Sequence, residues 1–319
     1  MAFNWQTFRT RALTAIIFVI VMLAGLLWNE WSFLVLFSII QFGCWWEYLK
    51  MVEKIHNAVF HPYTKLGFMV VGYGLMLWFC GPVYRIEGYG LKENISLPVS
   101  GAGFVLLIIG IFQKVKVDLK SFGAAALGLL YVSLSWGLLI HLRSDLVWLP
   151  QHIMEQLQYR NSPNKELLGA SLFSSKNLLL CLMIIFTMWI NDTMAYIVGS
   201  LIGKMPLSKI SPKKTWEGTI GGIILSAIII GLVFSNIPGE VVVPGFTINA
   251  VDESFWYIGA AVAAIAGTFG DLLESKIKRM AGVKDSGSLM PGHGGFLDRF
   301  DSLLLAVPFV WVYVKLMIG

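Results

Sequence analysis

The sequence predicts an all-α integral membrane protein that crosses the bilayer about nine times, with its N-terminus on the cytoplasmic side. Three observations carry this. The chain is 56% hydrophobic and only 13% charged, whereas soluble domains run to about 45–50% apolar and about 25% charged; its mean hydropathy is +0.71. The apolar residues gather into stretches of roughly 17–25 residues, the length that crosses a hydrocarbon core. The basic residues are distributed unevenly between alternate connections.

The stretches lie at about 12–28, 31–49, 66–83, 97–113, 122–141, 177–203, 218–237, 255–275 and 302–318. Arg9 and Arg11 precede the first. No small-residue cleavage site follows it, so it reads as a membrane span and not as a removed signal peptide. The fourth opens with Pro98 and carries Gly101 and Gly103. There is no internal repeat and no low-complexity tract. With the N-terminus inside, the inner connections hold Lys50, Lys54, Lys65, Lys114, Lys116, Lys120, Lys204, Lys209, Lys213, Lys214 and the basic residues between Lys276 and Arg299. The outer connections hold roughly a third as many, which fixes the orientation by the positive-inside rule. The overall charge of +5 therefore reads as flanks facing anionic headgroups, with no nucleic-acid partner. Cys44, Cys80 and Cys181 lie in apolar stretches without CxxC spacing and read as small buried hydrophobes.

This divides the chain into 1–170, about five spans with a long outer loop near 142–176, and 171–319, about four spans with cytoplasmic loops at 204–217 and 276–301. The outer loop has a faint helical pattern around 145–159.

The chemistry-bearing residues fall in the second part. In WINDTMAYIVG, Trp189–Gly199, Asp192 sits inside an apolar span. An acid there costs ~2.5–3.5 kcal/mol on insertion scales, so it faces either a protein-lined polar cavity or headgroup water at a helix end. SPKKTWEG, Ser211–Gly218, sets Ser211, Lys213, Lys214, Thr215 and Glu217 at a helix entrance. Free N–H groups and the helix dipole favour phosphate at such a place, although lysines there also anchor topology. In GTFGDLLESKIKR, Gly267–Arg279, the residues Asp271, Ser275 and Lys278 share one helix face, with Arg279 a turn beyond Ser275. Such a stripe serves a ligand or an internal salt bridge between helices.

The stretch KRMAGVKDSGSLMPGHGGFLDRFD, 278–301, adds Lys284, Asp285, His293, Asp298, Arg299 and Asp301. Its Gly294 and Gly295 allow positive φ and close backbone approach. Asp301 suits an N-cap of the last span, and His293 suits either a phosphate contact or a loop-organising hydrogen bond. Paired carboxylates with surplus cations suit Mg2+ with substrate phosphates. Zinc cages, Walker A and GxSxG patterns are missing, which leaves metal-assisted phosphoryl or nucleotidyl transfer on a lipid.

The run S-x-I-K-R-x4-K-D-x-G-x2-M-P-x-H-G-G-F-x-D-R-F-D, Ser275 to Asp301, resembles the signature of phosphatidate cytidylyltransferases (CDP-diacylglycerol synthases). SPKKTWEG and W-I-N-D-T-x-A-Y resemble further motifs of that family. Met290 stands where the family usually has Leu, Ile or Phe, and the N-terminal 170 residues carry only weak likeness. The resemblance implies transfer of CMP from CTP to phosphatidic acid, with Mg2+ on Asp271 and Asp298, Asp301 as a less firm ligand, and room for a second, monovalent ion such as K+. It implies Lys278, Arg279 and His293 near the reaction, and substrate contacts at Asp192, Ser211, Lys213, Lys214, Thr215, Glu217, Ser275, Lys284, Asp285, Gly294, Gly295 and Arg299. A homodimer in the bacterial inner membrane, with its active site facing the cytoplasm, belongs to the same expectation. The attacking lipid phosphate has a second pKa near 6, so no strong general base is required.

Two rival readings stand beside this one. A transporter would need polar groups across several spans, and spans one to five lack charged interiors apart from boundary residues. Another CTP- or CDP-using lipid enzyme, such as a polyprenol kinase, is the second; the aspartate signature of a CDP-alcohol phosphotransferase is missing.

Overall fold

The structure is a computed structural model and describes residues 5–113, 117–144, 165–208, 210–237, 241–243, 246–248, 252–288 and 294–318. Among these residues the helices are α1 (Trp5–Leu27), α2 (Glu30–His56), α3 (Pro62–Trp78), α4 (Leu91–Ile111), α5 (Leu119–Ser144), α6 (Lys165–Ile202), α7 (Trp216–Ser235), α8 (Glu253–Met280) and α9 (Leu297–Ile318). Each predicted apolar stretch falls on one of them. Seven are long and apolar enough to cross a membrane. The described apolar part of α1, Leu13–Leu27, is shorter than that group requires. So is α3, at 17 residues. Two short antiparallel hairpins complete the described structure: β1 (Arg85–Ile86) with β2 (Tyr89–Gly90), and β3 (Val241–Val243) with β4 (Phe246–Ile248). The expected helix near 145–159 lies outside the described residues.

Polar residues between the apolar runs start and stop the helices. Asn29 and Ser32 form a reciprocal capping box on α2, and Asn57 ends that helix in the left-handed conformation at φ 49°. His61 caps α3 ahead of Pro62. Asp118 caps α5 by accepting the Ser121 amide at 3.0 Å. Both α4 and α5 contain a π-helical segment, at Leu91–Ile95 and Leu129–Leu134.

The chain forms two compact units. The first comprises Met1–Ile140 with Leu273–Leu304, and the second His141–Leu272 with Leu305–Gly319. In the first unit an aromatic core gathers Phe33, Phe37, Trp45, Phe60, Phe68 and Trp136, all buried. Trp45 donates its indole N–H to Ser133 Oγ at 2.7 Å, so the one polar atom of this large side chain is satisfied. Of the two glycines noted in the fourth stretch, Gly103 is a contact residue and Gly101 is not: a Cβ on Gly103 would lie 2.5 Å from the Val71 amide, and one on Gly67 of α3 would lie 2.8 Å from the Leu107 amide. Small residues let α3 and α4 approach at backbone distance, as in other membrane helix pairs. In the second unit α6 and α7 meet in the same way, through Ala195, Gly199, Gly218 and Gly222. All three cysteines are buried and none forms a disulfide.

Candidate functional site

In the second unit, the segment between α6 and α7 folds back on itself. Leu207 N donates to Lys214 O at 2.7 Å and Trp216 N to Met205 O at 2.9 Å. Glu217, in the first turn of α7, accepts the amides of Lys204 at 3.1 Å and Met205 at 3.2 Å. Thr215 is the N-cap of α7 and accepts from the Gly218 amide at 3.1 Å. A Cβ on Gly203 would come within 2.6 Å of the same hydroxyl. Thr215 and Glu217 thus shape the loop, Ser211 closes a turn through its carbonyl to the Lys214 amide, and Lys213 is left exposed.

Lys214 turns to α8, where its ammonium forms an ion pair with Asp271 Oδ2. This uses one carboxylate oxygen, and the pair is partly exposed, at 35% and 20% for the two side chains. Asp192 is exposed within its unit, next to buried Asn191.

In the first unit, the end of α8 and the start of α9 bring together a tighter cluster. Glu274 is fully buried and Lys278 nearly so. The Lys278 ammonium pairs with Glu274 one turn earlier and with Asp298 Oδ1 at 2.7 Å. Asp298 Oδ2 accepts the amides of Ser286 and Gly295, each at 2.8 Å, and is 2.9 Å from the Ser286 hydroxyl. Gly294 has φ +84°, and a Cβ there would strike Asp298 Oδ2 at 2.5 Å. The positive φ anticipated for the glycine pair therefore occurs at Gly294. The salt-bridge reading of the α8 stripe describes Lys278 as it stands. Arg279 donates to the Val283 carbonyl at 3.2 Å. Arg279, Lys284, Asp285 and Arg299 are exposed, and Ser275 is half-buried on α8. His293 lies outside the described residues.

One expectation is corrected. Asp301 is not an N-cap, because α9 begins at Leu297 and Asp301 lies a full turn inside it, buried at 9% exposure. The helix starts earlier because the amides at its entrance have carboxylate acceptors. Asp298 holds the Gly295 amide just ahead of the helix. The α9 entrance is also held by Glu47 of α2, near the end of the second apolar stretch. Glu47 is 5% exposed. It accepts from Phe296 N at 3.0 Å, Leu297 N at 2.9 Å and the Ser286 hydroxyl at 2.7 Å. Glu47, Glu274 and Ser286 are the site residues that sequence reasoning missed. The rule applied to Asp192, that an acid within an apolar span needs a reason, would have found both glutamates.

The donor set suits a hard cation. Carboxylate oxygens are what Mg2+ takes, and it is commonly held by one or two of them together with substrate phosphates. No group of three or more His, Cys, Asp or Glu side chains forms a ready-made metal cage among the described residues.

A sequence model described as the Cytidylyltransferase family matches residues 9–317. The chain is 44% identical over 133 residues to a phosphatidate cytidylyltransferase of Haemophilus influenzae, covering 41% of this chain and 44% of that protein. It is 34% identical over 222 residues to phosphatidate cytidylyltransferase 4, chloroplastic, of Arabidopsis thaliana, covering 70% and 53%. It is 28% identical over 287 residues to YnbB of Escherichia coli K12, an uncharacterized protein, covering 89% and 85%. The chain spans about half the length of the first two of these relatives.

Proposed function

The chain belongs to the cytidylyltransferase family, and on that premise we propose that it is a phosphatidate cytidylyltransferase, transferring CMP from CTP to phosphatidic acid with release of pyrophosphate. The product, CDP-diacylglycerol, serves phospholipid synthesis. The observation that carries this reading comes from the described part of the family-like run: its Lys278, Ser286 and Asp298 converge into one hydrogen-bonded cluster at the junction of two apolar helices.

In this reaction an oxygen of the lipid phosphate bonds to the α-phosphorus of CTP. The bond from that phosphorus to the β-phosphate bridge breaks, and pyrophosphate leaves with the electron pair. The attacking phosphate is already ionised near pH 7, so no side chain must remove a proton. The chain's task is to bring two polyanions together and hold the leaving group. Lys213, exposed beside the α7 entrance, and Arg279, Lys284 and Arg299, exposed near the cluster, are the cations proposed to meet phosphate oxygens. Asp271 and Asp298 are the proposed Mg2+ carboxylates, with Asp301 the weaker third. Mg2+ would supply charge neutralisation on the α-phosphate and on departing pyrophosphate; a monovalent ion such as K+ belongs to the same proposal.

Catalysis is placed on the cytoplasmic side of the inner membrane, supported by the crowding of basic residues in 204–217 and 276–301, and a homodimer is proposed on family grounds. The test is synthesis by purified protein in lipid, using labelled CTP. CDP-diacylglycerol should form only when phosphatidic acid and Mg2+ are both present. Labelled product with a polyprenol acceptor, or none with phosphatidic acid, would overturn the assignment.

A further inference from the structure

We infer that Glu47 of α2 is a positioning residue for Asp298, holding the α8–α9 junction in the shape that presents that carboxylate. This rests on the functional reading above for its catalytic consequence, but the geometry stands apart from it.

A glutamate 5% exposed in a membrane-spanning helix is costly unless its oxygens are satisfied. Glu47 satisfies both with groups of the junction. Oε1 takes the Phe296 amide, and Oε2 takes the Leu297 amide and the Ser286 hydroxyl. Leu297 is the first residue of α9, so a carboxylate carried by a distant helix caps amides that have no partner within their own helix. The junction is moulded to it. A Cβ on Gly295 would lie 2.2 Å from Oε1 and 2.3 Å from Oε2, and one on Gly287 would lie 2.1 Å from Oε1. Two glycines thus flank the carboxylate where any side chain would expel it.

Ser286 links this clamp to Asp298. Its hydroxyl lies between Glu47 Oε2 at 2.7 Å and Asp298 Oδ2 at 2.9 Å, and it accepts from the Asp298 amide at 3.3 Å. One hydroxyl carries one proton, so it donates to one acid at a time. When Asp298 engages a cation, Glu47 remains as an acceptor for that proton and the junction keeps its shape. Glu47 touches no reacting atom on this account and acts through Ser286 and the α9 amides.

The experiment compares wild type, Glu47→Gln, Glu47→Asp and Ser286→Ala in detergent or nanodiscs. Amide exchange of the 286–300 segment is read first, without substrate or metal. Glu47→Gln should speed it by roughly tenfold or more, because a charged acceptor is lost, while exchange in α3 and α4 stays unchanged. Equal exchange in wild type and Glu47→Gln sinks the clamp. The second readout is Mg2+ dependence of CDP-diacylglycerol synthesis. Glu47→Gln and Ser286→Ala should raise the half-saturating Mg2+ concentration several-fold with KM for phosphatidic acid little changed, and Glu47→Asp should recover part of it. If Glu47→Gln does not fold, Ser286→Ala alone decides, and a wild-type Mg2+ curve in it overturns the link to Asp298. A wild-type protein inactive on CTP and phosphatidic acid would refute the functional reading and leave the exchange result to judge the clamp.

Discussion

The ammonium of Lys278 lies 2.7 Å from Asp298 Oδ1 and also pairs with Glu274, so a single buried cation serves two acids drawn from α8 and α9. Breaking a buried pair from one side leaves an uncompensated charge, which costs far more than the intact pair contributes.

Replacing Lys278 by methionine should therefore destabilise the protein by about 3–5 kcal/mol, read as a shifted denaturation midpoint in detergent. The double variant Lys278→Met/Glu274→Gln should recover part of that loss, because it removes one of the two stranded acids. Additive losses in the double variant would show that the two residues are not coupled.

Asp271 offers a different contrast. Its ion pair with Lys214 is partly exposed, and exposed pairs contribute about 0–1 kcal/mol. Asp271→Asn should leave the denaturation midpoint nearly unchanged while lowering Mg2+-dependent synthesis at least roughly a hundredfold. Asp298→Asn should lose activity as severely but should also soften the junction that its oxygens hold. Full activity in either variant would remove that residue from the metal assignment.

These contrasts follow what the sequence could convey. Span length and apolarity are local properties, so every predicted stretch met a helix, and Asp271 and Lys278 were placed on one face of α8 by spacing alone. The number able to cross turns on helix length: seven described helices qualify, α3 has 17 residues, and the apolar part of α1 is described only over Leu13–Leu27. An acid in an apolar stretch marks Glu47, but its role stays hidden because its partners Ser286 and Leu297 are 239 and 250 positions away, a separation no periodicity reports. For the same reason α9 begins at Leu297 instead of near 302: the polar residues Asp298, Arg299 and Asp301 looked like loop until an acceptor for the first amides was known. Thr215 and Glu217 were found as a pair, but their work on backbone amides depends on a loop fold that their spacing does not encode.

The close approach of α6 and α7 makes a paired test of helix contact. A Cβ on Gly218 would sit 2.6 Å from the Ala195 carbonyl and 2.9 Å from Gly199 Cα, both backbone atoms that cannot turn aside. Gly218→Ala should cost about 1–3 kcal/mol, as overpacking does. Gly101→Ala in α4 meets nothing within 4 Å and should be neutral or stabilising by up to about 1 kcal/mol through helix propensity. Thermal unfolding of both variants in one detergent separates the two cases. Equal midpoints would mean that α6 and α7 are not held at glycine distance.

A last prediction concerns pH. Asp118 caps α5 outside its apolar part, and hydrogen bonds from Ser121 hold its carboxyl below the usual carboxylate range. The ionised form is the one that accepts the amide, so folding favours it. A group whose folded pKa is depressed stabilises the fold above its unfolded pKa, and that contribution fades as pH falls through the folded value. Lowering the solution pH from neutral toward acid should therefore weaken the start of α5 only in the carboxylate range, and raising it above neutral should do nothing through this group. Asp118→Asn, which keeps an oxygen acceptor but cannot titrate, should flatten that acid limb in amide exchange of 119–122 while leaving exchange near neutral pH close to wild type. An acid limb of unchanged depth in Asp118→Asn would assign the effect to another carboxylate.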